Sequence, residues 1–118
     1  MTPEFQTDGV FDVYKMLDVI RQRPGLYLGT PSLTKLWDFL QGYRSALINN
    51  DIPYRQVGFW NIIIFDTWIR NQLELPYNSQ GWANNILQHC NGDEAKALAN
   101  FFELLDEFRQ QEQEDVSR

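Results

Sequence analysis

Hydrophobic residues recur at helical spacing along most of the chain. Apolar positions at i, i+3, i+4 and i+7 predict amphipathic helices that bury one face. Four such stripes are present, through Val10, Val13, Tyr14, Leu17 and Ile20; through Leu33, Leu36, Trp37, Leu40, Tyr43 and Leu47; through Trp82, Ile86, Leu87 and Cys90; and through Ala95, Leu98, Ala99, Phe102, Leu105 and Phe108. They predict an all-α fold.

A fifth segment, from Phe59 to Leu73, is apolar on nearly every face. Periodicity does not distinguish a buried helix from a buried strand here, and the β-branched residues favour a strand over 57–65. We predict a helix over 59–72, because the apolar run continues to Leu73 without a turn. A helix that is apolar all round belongs in the centre of a domain. We therefore predict a single domain over 1–118 that folds as a compact five-helix bundle, either orthogonal or irregular.

The stretch from Arg23 to Leu33 predicts a stiff corner between the first two helices. Its two prolines and two glycines restrict the backbone, and Pro24 disfavours a helical conformation at Arg23. Thr30 followed by Pro31 predicts an N-cap and first helical position. We expect the corner glycines to adopt backbone conformations that a β-branched side chain resists.

The two ends of the chain are polar and lack helical periodicity. We predict a loose N-terminal arm over 1–8 and a frayed acidic tail over 111–118. Asp93 is expected to cap the last helix, over 94–109. Residues 93–118 hold eight acidic and three basic side chains, so five of the six net negative charges of the chain lie there.

The amino-acid composition excludes some classes of protein function and favours others. An aromatic content of 14% argues against disorder, and a net charge of −6 argues against nucleic acid, which is bound through Lys and Arg. A protein with a basic surface is the partner this charge favours. The single cysteine, Cys90, predicts a reducing compartment. With neither a leader nor an apolar run of roughly 20 residues, the expected location is the cytoplasm, without a membrane partner.

Two resemblances are carried by short motifs. Residues 20–29 resemble the Arg-Pro-Gly-Met-Tyr-Ile-Gly segment of type II topoisomerase ATPase domains, but the magnesium and adenine motifs of those domains are missing. Residues 12–108 resemble small uncharacterised single-domain bacterial proteins. The shared motifs are the Arg-Pro-Gly-hydrophobic-Tyr-Leu-Gly corner, Phe39-Leu-Gln-Gly-Tyr43, Gly81-Trp82 and the segment from Asp93 to Phe108. The second resemblance implies, for some relatives, an immunity-like role against bacterial toxins and no catalytic residues.

No group of residues in the sequence specifies a reaction. His89 and Cys90 are too few for a metal site and, as helical neighbours, point in different directions, so we predict no metal and no cofactor. Glu103, Asp106 and Glu107 share one helix side, which is typical of a solvated face and not of paired catalytic carboxylates. Arg21 and Arg23 could hold an anion, or pair with carboxylates or carbonyls of the corner.

The sequence therefore favours a non-enzymatic protein-binding module, of which an immunity-type inhibitor is one specific form. The candidate binding residues are Glu103, Asp106, Glu107, Arg21, Arg23 and Tyr27. The alternative is a small enzyme or ligand-binding protein that uses a Trp-lined cleft near Arg21, Arg23 and Tyr27.

Overall fold

A computed structural model describes residues 6–7, 10–55 and 57–116, and confirms the all-α prediction. Two short strands, β1 (Gln6–Thr7) and β2 (Val10–Phe11), pair antiparallel ahead of the helices. The helices are α1 (Val13–Gln22), α2 (Pro24–Leu28), α3 (Leu33–Asn49), α4 (Ile62–Gln72), α5 (Trp82–His89) and α6 (Glu94–Val116), with a 3₁₀ turn at Gly58–Trp60. None of the helices in the described ranges is long and apolar enough to span a membrane.

The first helix begins later than its apolar stripe predicts. Val10 belongs to β2, and α1 begins at Val13 because the Asp12 carboxylate accepts a hydrogen bond from the Tyr14 N–H at 3.0 Å. Residues 6–7 of the predicted loose arm are paired in β1. The rest of that arm lies outside the described residues.

The predicted corner contains a short helix of its own, α2, with Pro24 at its first position. Gly29 ends it at φ +82°, a left-handed conformation that favours glycine. Gly25 lies inside α2 with an ordinary negative φ, and no other part of the described structure beyond its chain neighbours and its own helix backbone comes within 4 Å of the point that a Cβ on Gly25 would occupy. The expectation of an unusual backbone is therefore met at Gly29 and wrong at Gly25.

Helix α3 is capped by Ser32, and the prediction that Thr30 and Pro31 begin it is wrong. The Ser32 hydroxyl accepts from the Lys35 N–H at 3.2 Å. Glu94, the first residue of α6, accepts from the Ser32 hydroxyl at 3.1 Å and from the Thr34 N–H at 2.9 Å. This contact across 60 residues fixes where α3 starts, and the local Thr-Pro signal could not reveal it.

The segment 59–72 is not one central helix. Asn61 separates the 3₁₀ turn from α4 and caps α4 through its side chain. Phe65 and Ile69 of α4 are fully buried, whereas Ile63 is 78% and Ile64 is 51% exposed. Helix α4 is therefore amphipathic, and the strand alternative is also excluded over Gly58–Gln72.

The last helix, α6, lies at the centre of the domain, where we predicted the helix over 59–72. It packs against α3, α5 and the 3₁₀ turn, and one of its faces is buried along Ala97, Leu98, Phe101, Phe102, Leu104, Leu105 and Phe108. Trp82 stacks on Phe101 with ring centroids 4.9 Å apart. The Asp93 carboxylate caps α6 as predicted, by accepting from the Lys96 N–H at 3.1 Å.

Helix α6 also continues to Val116, so the predicted tail is wrong over 111–116. Two long-range hydrogen bonds hold this end. The Tyr14 hydroxyl donates to Glu112 Oε1 at 2.6 Å, and Trp68 Nε1 donates to Gln111 Oε1 at 2.8 Å. Residues 117–118 lie outside the described part of the chain.

Candidate protein-binding face

The exposed side of α6 carries the three carboxylates that the sequence singles out. Because Phe102, Leu105 and Phe108 face the core, the intervening residues Glu103, Asp106 and Glu107 face solvent. We call these three residues the acidic face. It is presented on a helix whose opposite side is anchored in the core, so its position is fixed by packing.

Asp106 is the member of the acidic face that has a cation beside it. Arg21 Nη1 lies 2.9 Å from both Oδ1 and Oδ2 of Asp106, and both side chains remain about half exposed, at 42% and 52%. Arg21 also lies over the Phe102 ring, with Cζ 5.3 Å from its centroid. Arg21 thus bridges α1 to α6, and its guanidinium is engaged with a carboxylate of α6 instead of with groups of the corner.

The side chains of Glu103 and Glu107 make no hydrogen bond or ion pair with any residue in the described ranges. They are four residues apart on one helix, a spacing that brings like charges close and costs a few tenths of a kcal/mol. Their charges therefore remain available to a molecule that approaches α6.

Arg23 and Tyr27 lie in a different place from Arg21. They line an open depression of about 470 Å³ together with Lys15, Asp18, Val19 and Gln22. None of the four Trp, all of them within the described residues, lines this depression or the groove that contains Arg21. Neither of these two hollows beside Arg21, Arg23 and Tyr27 is therefore lined by Trp.

The four tryptophans belong to the core or to its rim. Trp60 and Trp82 are 5% and 2% exposed, and Trp37 and Trp68 pack against the core from its rim. Tyr27, in contrast, lies on α2 with 41% of its surface exposed.

The groove beside Arg21 lies between the corner and α6 and has a volume of about 310 Å³. Pro24 and Pro31 come from the corner, and the α6 side consists of Ala95, Leu98, Ala99, Phe102 and Glu103. We call it the corner groove. It places a largely apolar surface directly beside one carboxylate of the acidic face.

A polar cluster that the sequence did not predict joins α1, the 3₁₀ turn and α6. The Tyr14 hydroxyl donates to Glu112 and accepts from the Phe59 N–H at 3.0 Å. Burial raises the pKa of Glu112 above its ordinary value, although the Tyr14 hydrogen bond and the Arg109 charge oppose this. Burial and the hydrogen bond to Glu112 together raise the pKa of Tyr14. Tyr14 and Glu112 are 98 residues apart, so no spacing in the sequence indicates the pair.

Arg109 lies beside this cluster and contacts α1 at two residues. Its Cζ lies 4.4 Å from the centroid of the Tyr14 ring, and its Nη1 lies 3.1 Å from Asp18 Oδ1. The cluster therefore ties the far end of α6 to α1 through a hydrogen bond, a cation–π contact and an ion pair.

Cys90 and His89 lie at the end of α5, where Cys90 is a free, partly buried thiol. Burial, and then the Asp93 charge, raises the pKa of Cys90, so the thiolate that a nucleophile requires is disfavoured. Within the described ranges no three His, Cys, Asp or Glu side chains come together as a group that could hold a metal ion.

Comparison of the chain with protein-family models, with curated proteins and with solved structures gave no match in any of the three. The functional argument therefore depends on the surface of the molecule itself.

Proposed function

We propose that this chain is a non-enzymatic protein-binding module whose acidic face meets the basic surface of another protein. The observation that carries the proposal is the pair Glu103 and Glu107, two exposed carboxylates without partners in the described residues, on a helix fixed in the core. Charges of one sign on a rigid surface steer an oppositely charged partner and raise its association rate.

A more specific form of this function is an immunity-type inhibitor that covers a basic toxin surface. The support for it is the sequence resemblance of residues 12–108 to the small bacterial proteins described above, together with the charge of the acidic face. A basic partner in the same cytoplasm is the chemistry that both features favour.

The alternative, a small enzyme or ligand-binding protein, would have to use the depression lined by Lys15, Arg23 and Tyr27. It has less support, because Arg21 is engaged with Asp106 and the raised pKa of Cys90 disfavours a reactive thiolate.

Affinity capture from the native cell, followed by mass spectrometry, tests the proposal. Wild type is compared with Glu103→Gln, Asp106→Asn and Glu107→Gln combined, and with a control that removes three exposed charges elsewhere, Asp38→Asn, Asp51→Asn and Glu74→Gln. We expect wild type and control to retain the same basic protein and the first variant to lose it. Equal retention by all three proteins would contradict the proposal.

A further inference from the structure

The corner groove is large enough to receive an aliphatic side chain. Its volume of about 310 Å³ lies at the lower end of the range for ligand pockets, which run from about 300 to 1,000 Å³. Leu98 and Phe102, both core residues, present their outer edges to it. Ala95 and Ala99 are exposed one turn apart on α6, and their small side chains keep the groove open.

The opposite wall of the corner groove is formed by Pro24 and Pro31, neither of which has a backbone N–H to donate. The groove therefore offers an occupant dispersion contacts and removal of apolar surface from water, which suit an aliphatic side chain. An anionic occupant is disfavoured, because the guanidinium of Arg21 is already paired with Asp106.

The rim of the corner groove is acidic. Glu103 lines the groove and lacks a partner in the described ranges, and Glu107 follows it one turn along α6. An occupant that places a cation beside its apolar side chain would fill the groove and pair with Glu103 at the same time.

We infer that the corner groove receives an aliphatic anchor side chain of a protein partner, with a neighbouring Lys or Arg of that partner on Glu103. This inference rests on the proposed function and adds to it the chemistry of the recognised segment. The acidic face attracts basic proteins in general. The corner groove discriminates between them, because only a segment with an aliphatic side chain beside its cation fills it.

Peptide titration of the full chain, followed by backbone amide chemical shifts, tests the inference. The probe is a short Gly/Ser peptide with one Leu between two Arg, and two further peptides replace the Leu by Ser or both Arg by Glu. We expect the first peptide to shift the amides of Ala95, Ala99 and Glu103 and to bind at least about fivefold tighter than the Leu→Ser peptide, since burying a Leu side chain is worth that much or more. The Arg→Glu peptide should not bind measurably.

Two variants of the protein distinguish binding in the corner groove from binding through charge alone. Ala99→Leu fills the corner groove, whereas Ala46→Leu makes the same change at an exposed position of α3 outside it. Leu and Ala both favour helices, so both variants should keep the wild-type melting temperature. We expect Ala99→Leu to weaken the Arg-Leu-Arg peptide at least about fivefold and Ala46→Leu to leave it unchanged.

The outcomes separate the two proposals. If the Leu→Ser peptide binds as well as the first one, or Ala99→Leu has no effect, while neutralising the acidic face still weakens binding, the groove inference is overturned and the proposed function stands. If neutralising the acidic face has no effect on any peptide, the proposed function fails as well. If sedimentation shows a dimer that Ala99→Leu dissociates, the occupant is a second copy of this chain and the inference of a basic partner is wrong.

Discussion

Replacing Gly58 by Ala adds one methyl group at the point where the 3₁₀ turn meets α1 and α6. Gly58 has φ +53°, and a Cβ at this position would overlap the Glu112 carboxylate and the Tyr14 hydroxyl. The left-handed backbone costs a non-glycine residue roughly 1–2 kcal/mol. Displacing Glu112 from the Tyr14 hydroxyl removes a charge-assisted hydrogen bond, which costs roughly another 1–3 kcal/mol.

We therefore expect Gly58→Ala to lower the free energy of unfolding by about 2–5 kcal/mol. Gly92→Ala is the matched control, because Gly92 has φ +79° but, apart from its chain neighbours, no described residue within 4 Å of its Cβ position. This variant should lose only the backbone contribution of roughly 1–2 kcal/mol. The assay is urea unfolding at neutral pH, followed by circular dichroism and by Trp fluorescence.

A double-mutant cycle with Glu112→Ala isolates the steric part. Because Glu112→Ala removes one of the two groups that the methyl group meets, the costs of Gly58→Ala and Glu112→Ala should sum to more than the cost of the double variant, by about 1 kcal/mol or more. Equal costs for Gly58→Ala and Gly92→Ala, together with an additive cycle, would refute the packing of Gly58 against Glu112.

Two further predictions concern stability. Gly29→Val should be less stable than Gly25→Val by about 1 kcal/mol or more in urea unfolding, since only Gly29 has a positive φ; equal midpoints would contradict the geometry of the corner. Burial raises the pKa of Glu94, but the hydrogen bonds from Thr34 and Ser32 outweigh it and lower the pKa below its ordinary value, so ionised Glu94 stabilises the fold at neutral pH and this contribution is lost as the pH falls through the lowered pKa, below 4.5. Glu94→Gln should accordingly lower stability at pH 7 and flatten its decline below pH 4.5 in urea titrations, whereas a parallel decline in wild type and variant would contradict the role of Glu94. The contribution of Glu112 to stability should have the opposite pH dependence, because its pKa is raised. Ionisation of Glu112 opposes folding above the raised pKa, and this cost disappears as the pH falls below 4.5.

Most of the longer helices were predictable because their cause is local. The spacing of Leu33, Leu36 and Leu40 marks the buried face of α3, and Asp93 caps α6 through a contact three residues away. The error over 59–72 also has a local cause, since Asn61 is a good N-cap that lies within an apolar run.

The remaining features depend on contacts between distant residues. The polar composition after Gln110 indicates a tail, but the Tyr14–Glu112 hydrogen bond holds that segment in α6. Likewise, Arg21 and Asp106 are 85 residues apart, so the sequence could place each on a helix face but could not pair them. The acidic face itself was predictable, because it is the complement of the buried stripe of one helix.

The association rate constant of this protein with the partner recovered by capture, measured against ionic strength, tests the acidic face most directly. Salt screens charges beyond a Debye length of about 10 Å at 0.1 M ionic strength, so steering by Glu103, Asp106 and Glu107 should give an association rate that falls as salt rises. We predict that neutralising all three slows association at low salt, reduces the salt dependence and leaves the melting temperature within a few degrees of wild type. Association with the same rate and the same salt dependence as wild type would contradict the binding role of this face.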